Sequence, residues 1–85
     1  MSIRECRVDN ELCLPGLVCP QPILEAKRAL RALEGGQKLR VLSTDKHSVA
    51  DFATFCAQTQ HTLCEQAEET IDGTLYYITI IAKRI

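Results

Sequence analysis

One stretch constrains this chain more than any other: Gly16-Leu17-Val18-Cys19-Pro20-Gln21-Pro22-Ile23, a cysteine followed at alternate positions by two prolines and then by an amphipathic run. Proline fixes φ and has no N–H, so it suits the first turn of a helix, where amides lack an intrahelical acceptor. The spacing predicts Cys19 as N-cap, Pro20 as N1 and Pro22 as N3 of a helix. With a proline at N3, the Gln21 amide is left as the expected donor to the sulfur. The positive end of the helix dipole then favours a thiolate. Gly16 lets the backbone turn sharply away from the preceding strand, so the sulfur is expected on an exposed loop.

Around that stretch the chain reads as one domain spanning residues 1–85, with no linker, repeat or low-complexity segment. A content of 46% hydrophobic and 25% charged residues is that of a folded globular protein. A net charge of −1 argues against a surface given over to nucleic acid. Only two tyrosines, two phenylalanines and no tryptophan also leave few stacking platforms, so direct RNA binding is not expected. The N-terminus has no apolar core of a signal peptide, and no apolar run approaches the roughly 20 residues of a membrane helix. A cytoplasmic protein without membrane contact is expected. Five cysteines, Cys6, Cys13, Cys19, Cys56 and Cys64, form an odd set with no Cys-x-x-Cys or His-x-x-x-His pair, which predicts reduced thiols and no metal site.

Taken in order, Glu5 to Leu14 carries apolar residues at Cys6, Val8, Leu12 and Leu14, a strand or strand pair with a turn near Asp9-Asn10. Pro20 to Leu33 places Ile23, Ala26, Leu30 and Leu33 at helical spacing, with Glu25, Lys27, Arg28 and Arg31 opposite. Gly35-Gly36 is expected to supply the left-handed C-cap. Lys38 to Ser43 is a short strand with apolar residues on both faces, hence interior. A second helix is predicted from Ser48 to Thr59, capped by Ser48 or Asp45, with Val49, Phe52, Ala53 and Cys56 on its buried stripe. Thr62 to Thr70 is polar enough for an edge strand, Asp72-Gly73 is a hairpin turn, and Leu75 to Ala82 is the most β-like run, hence central. The order β-α-β-α-β-β with right-handed crossovers puts both helices on one face of a four-stranded mixed sheet, an α+β two-layer sandwich.

Cys19-Pro20-Gln21-Pro22, with the helix that follows, the strand ending at Thr44-Asp45, Asp51-Phe52, Phe55-Cys56 and the Asp72-Gly73 turn, resembles the TusA-like sulfur-carrier family. The resemblance implies the sheet order 1-2-4-3. It further implies a sulfurtransferase in which Cys19 holds sulfane sulfur as a transient persulfide, with no other cofactor, and Gly16, Pro20, Gln21 and Pro22 form the active-site loop. The donor would be a cysteine desulfurase-type enzyme and the acceptor a downstream protein, serving tRNA 2-thiouridine modification or related sulfur trafficking. Lys27, Arg28, Arg31 and Asp45 are candidate partner-docking residues. The chain departs from the family where Asp-Pro is frequent (Asp45-Lys46), where a helix proline is frequent (Ala53) and where a glycine often ends the second helix (Gln60). The competing class is a non-enzymatic regulatory or protein-binding module in which Cys19 only shapes the loop. Cys56 on an apolar stripe reads as core, Cys6, Cys13 and Cys64 as strand residues, and His47 and His61 as solvated or capping residues.

Overall fold

The computed structural model describes residues 6–18 and 20–85. The elements are β1 (Asn10–Leu14), α1 (Gln21–Arg31), β2 (Lys38–Ser43), α2 (Ser48–Thr59), β3 (Thr62–Ile71) and β4 (Thr74–Ala82). They form one sheet of order β1-β2-β4-β3, with β1 and β2 parallel and the other pairings antiparallel. Sheet order, strand count and mixed pairing are those expected.

Both helices pack on one face. Ala26 and Leu30 of α1 and Phe52, Phe55 and Cys56 of α2 meet Leu39 and Val41 of β2 and Ile81 of β4, with Leu12, Leu14 and Ile23 at the margin. Each large side chain fully buried there stabilises the fold by roughly 1.5–3 kcal/mol. The opposite face carries a smaller cluster, Leu42, Ile78 and Ile80, flanked by Val8, Ala67, Ile71 and Tyr76. Apolar residues on both faces of β2 and β4 follow from their interior places, whereas β3 is polar because it has a neighbour on one side only. Asp72 (φ 51°) and Gly73 (φ 82°) make the two left-handed residues of a type I′ hairpin turn.

Several boundaries differ from expectation. Glu5 lies outside the described residues, and the first strand begins only at Asn10. Val8 therefore leaves the helix-facing alternation of Leu12 and Leu14 and joins the cluster on the other face. The first helix ends at Arg31, where the Ala32 and Leu33 amides tighten onto the Ala29 and Leu30 carbonyls. Its C-cap is right-handed Ala32, and the left-handed Gly36 (φ 90°) instead closes the following turn, in which the Gln37 N–H donates to the Glu34 carbonyl. In α2, Phe55 replaces Val49 on the buried stripe. Val49 sits in the first turn, exposed above β3, whose Gln66 side-chain amide donates to the Val49 carbonyl. Gln60 ends that helix at φ 66°, the left-handed geometry that explains why a glycine is frequent there.

Candidate functional site

The loop 15–18 and the turn 44–47 emerge side by side from the C-terminal ends of the parallel strands β1 and β2, the end at which α/β sheets commonly place their chemistry. Gly16 adopts φ 81°, open space surrounds its Cα, and its N–H donates to Thr44 Oγ1 at 2.9 Å. That bond ties the motif loop to the end of β2. Cys19 itself lies outside the described residues, and with it the expected exposure of its sulfur.

The residues on either side of Cys19 are described, and they correct the expected register. The N-cap is Pro20 rather than Cys19, so Gln21 is N1 and Pro22 is N2. The Gln21 N–H, expected on the cysteine sulfur, donates to the Val18 carbonyl at 2.9 Å, and the Leu24 N–H donates to the Pro20 carbonyl. This pattern follows from φ −97° and ψ 13° at Pro20, which wind the chain one residue before regular helix begins. No acidic side chain occupies the first turn of α1, so the positive helix end is not neutralised there.

The two prolines are not equivalent. Pro20 is exposed, whereas Pro22 is among the fully buried side chains and roots the motif in the core. Val18 (62% exposed) and Leu24 (53%) flank this start with apolar surface. The sequence reading missed both. The available signal was that Leu24 falls outside the Ile23, Ala26, Leu30 stripe.

Asp45 lies at the entrance of α2. Its Oδ1 accepts the His47 N–H at 3.0 Å and lies 3.0 Å from His47 Nδ1, while its own N–H donates to Ser43 Oγ. The N-cap is His47 rather than Ser48 or Asp45, and no side chain caps the helix; Asp45 instead closes the turn before it by accepting the His47 N–H. Ser48, the alternative, is helical, and its hydroxyl is buried without a partner.

Lys27, Arg28 and Arg31 are exposed on α1. Arg28 pairs loosely with Glu25 at 3.6 Å, a contact worth little in solvent, and Arg28 and Arg31 complement the negative end of the helix. Cys6, Cys13 and Cys64 are exposed and unpaired. Cys56 is buried, and that burial, reinforced by the nearby Cys64, pushes its thiol up to about 11, so it stays protonated and unreactive at neutral pH. Among the described residues no group of three or more potential ligands could hold a metal ion. No described helix is long and apolar enough to cross a membrane.

A four-stranded sheet covered on one face by two helices, with the sequence Cys19-Pro20-Gln21-Pro22 leading into the first helix, defines the class as a small two-layer α+β domain. Comparison with known proteins assigns the family: residues 11–81 match the family described as sulfurtransferase TusA. The chain is 51% identical over 61 residues to the sulfur carrier protein TusA of Allochromatium vinosum, covering 72% of this chain and 80% of that protein. It is 40% identical over 76 residues to the sulfur carrier protein TusA of Pseudomonas syringae pv. syringae, covering 88% and 87%. The crystal structure of the SirA-like protein from Desulfitobacterium hafniense superposes with a TM-score of 0.66 at 25% identity, covering 88% of this chain and 99% of that one. The chain belongs to the TusA family of sulfur carriers.

Proposed function

We propose that Cys19 is the carrier thiol. It accepts sulfane sulfur from a cysteine desulfurase-type donor and relays it to a partner protein, toward tRNA 2-thiouridine modification or related sulfur trafficking. The Cys19 thiolate attacks the outer sulfur of the donor persulfide, a Cys19 S–S bond forms, the donor S–S bond breaks, and the donor thiolate leaves. The same exchange run against an acceptor thiolate returns Cys19 to its starting state. No net oxidant is needed, because the sulfane sulfur keeps its oxidation state throughout. Such exchange depends on a thiolate with access and a good leaving group.

The observation that carries the reading is the start of α1. Cys19 immediately precedes an N-cap whose first turn contains no acidic side chain. Pro20 and Pro22 have no N–H and the Gln21 N–H is engaged by Val18, so the helix start presents its positive end without a carboxylate to neutralise it. Cys56, within α2, is a buried thiol and suits no such role. Gly16, Pro20, Gln21 and Pro22 act as the shaping loop, with Lys27, Arg28 and Arg31 as the docking face and Asp45 holding the adjoining turn. Exposed Val18 and Leu24 favour a protein as the exchange partner, since an apolar rim beside the thiol is what a protein interface covers.

Incubation with a cysteine desulfurase and cysteine is expected to add the mass of one sulfur atom, and peptide mapping to place it at Cys19. Cys19→Ser should abolish transfer while leaving partner binding and thermal stability nearly unchanged. Persulfide of equal yield at Cys13 or Cys64, or transfer surviving in Cys19→Ser, would overturn the assignment and favour a plain binding module.

A further inference from the structure

The groove between the two helices does not stop at the motif. Beside Pro20 it is a cleft of about 340 Å³ walled by Ile23 and Lys27 of α1 and by Asp51, Phe55 and Thr59 of α2. Lys27, Phe55 and Thr59 also wall a second cleft, of about 270 Å³, at the far end of the helices, so the two form one continuous depression. The far cleft has an apolar floor of Leu30, Phe55 and the His61 ring, whose centroid lies 5.7 Å from that of Phe55. Its rim is Lys27, Arg31, Lys83 and Arg84, four of the chain's ten Lys and Arg residues. No acidic side chain lines that end among the described residues, in a chain of net charge −1.

Two details fix the rim. The Arg84 N–H donates to His61 Nδ1 at 3.0 Å, and the Lys83 ammonium donates to the Leu33 carbonyl, so the C-terminal strand end is pinned against both helices. Accepting at Nδ1 leaves His61 its proton on Nε2, and burial together with the neighbouring Arg84 and Lys83 charges keeps the ring neutral. At the motif end the one charged carboxylate is Asp51, in the first turn of α2. The groove is therefore polarised: Asp51 beside Pro20, Lys27 between the two ends, and Arg31, Lys83 and Arg84 at the opposite end alone.

We infer that this groove binds an extended acidic peptide segment of a sulfur-exchanging partner, with its acidic residues at Arg31, Lys83 and Arg84 and its thiol-bearing end toward Pro20. From Ile23 to Arg31 the helix rises about 12 Å, the span of roughly four extended residues. That length matches a short segment rather than a single ion. The charge polarity dictates direction, because an acidic end placed beside Asp51 would forfeit the cations and meet a like charge. The inference rests on the carrier reading above, yet its test involves no sulfur transfer, so the two fail separately.

The probe is the N-acetylated, C-amidated hexapeptide Ala-Gly-Leu-Glu-Glu-Glu, titrated into the full-length nitrogen-15-labelled protein and followed by amide chemical shifts. Saturable shifts are expected at Leu30, Thr59, His61 and Arg84. The paired variant Arg31→Gln with Arg84→Gln is expected to weaken binding about fivefold at low salt, with its remaining spectrum unchanged. Equal binding by a peptide with glutamines in place of the glutamates, or shifts centred elsewhere, would refute the inference. Inorganic phosphate producing the same shifts at equal or lower concentration would reduce the cleft to a small-anion site and equally refute it.

Discussion

The two helices of this protein start within one short neighbourhood of the sheet, yet the chain builds the two starts by opposite means. At α2 the polar groups are consumed locally: Ser43 Oγ accepts from Asp45, and Asp45 Oδ1 accepts from His47. Neither N-cap, Pro20 or His47, carries a side-chain cap, but at α1 prolines remove two amides, the Gln21 N–H turns back to Val18, and no acidic side chain stands in the first turn, where α2 has Asp51. One start is finished as structure. The other leaves the field of its helix uncompensated, and that difference is what a reactive thiol requires.

The comparison is broken most severely at Pro22. Because it is fully buried, Pro22→Ala removes two methylenes from the core and frees the unfolded backbone. The expected loss is about 2 kcal/mol in urea unfolding, with an altered rate of Cys19 alkylation. Pro20→Ala, at an exposed position, should change alkylation with little loss of stability. Equal stability in the two variants would show that Pro22 is helix punctuation and no more.

Asp45→Ala tests the opposite start. Removing the carboxylate that accepts the His47 N–H should cost about 1 kcal/mol, read as a lower urea midpoint at unchanged slope. Cys19 alkylation should change far less than in Pro20→Ala. A variant that loses thiol reactivity in proportion to stability would mean that the two starts work as a single unit.

Smaller again is the effect of reversing Lys27, Arg28 and Arg31 to glutamate. Partner transfer should slow several-fold at low salt and lose its salt dependence, while alkylation by a small neutral reagent stays constant, because exposed charges about a turn or more from the thiol are screened. A parallel fall in both would assign the basic face to thiolate tuning and remove it from docking.

The smallest expected effect concerns Cys56, the thiol within α2. Cys56 is held protonated by burial up to about pH 11, whereas its thiol in the unfolded chain ionises near 9. Below pH 9 both states carry the proton and Cys56 adds no pH dependence. Between about 9 and 11 the unfolded state alone gives it up, so stability falls as pH rises. The slope of urea midpoint against pH over that window should be shallower in Cys56→Ala. An unchanged slope would show that Cys56 titrates alike in both states.

What the sequence disclosed follows the strength of its signals. β2, α2 and the Asp72-Gly73 turn are legible to the residue or nearly so, because period-2 and period-3.6 patterns there run uninterrupted between turn residues. The start of α1 is displaced by one residue, since proline permits N-cap geometry as readily as N1 and composition alone cannot separate them. Gly35-Gly36 reads as a helix end because a left-handed glycine serves a C-cap and a β-turn alike. The motif and the basic positions of α1 are visible in the sequence. The gathering of Lys83, Arg84 and His61 against α1 is not, because it depends on β4 running antiparallel to β2 and ending beneath the helices.

The Gly16–Thr44 hydrogen bond has a kinetic consequence. The β3–β4 hairpin closes over a two-residue turn, whereas β1 pairs with β2 across 29 positions of chain, Asn10 with Leu39, and is a five-residue edge strand. Local contacts form early and distant ones late, so β1 docks among the last elements and frays among the first. The motif loop is continuous with β1, and its tether to Thr44 is made only after that docking. Chains still folding, or transiently opened at this edge, therefore leave the loop 15–18 untethered, and the arrangement proposed to serve sulfur exchange arises only when the rest of the molecule is complete.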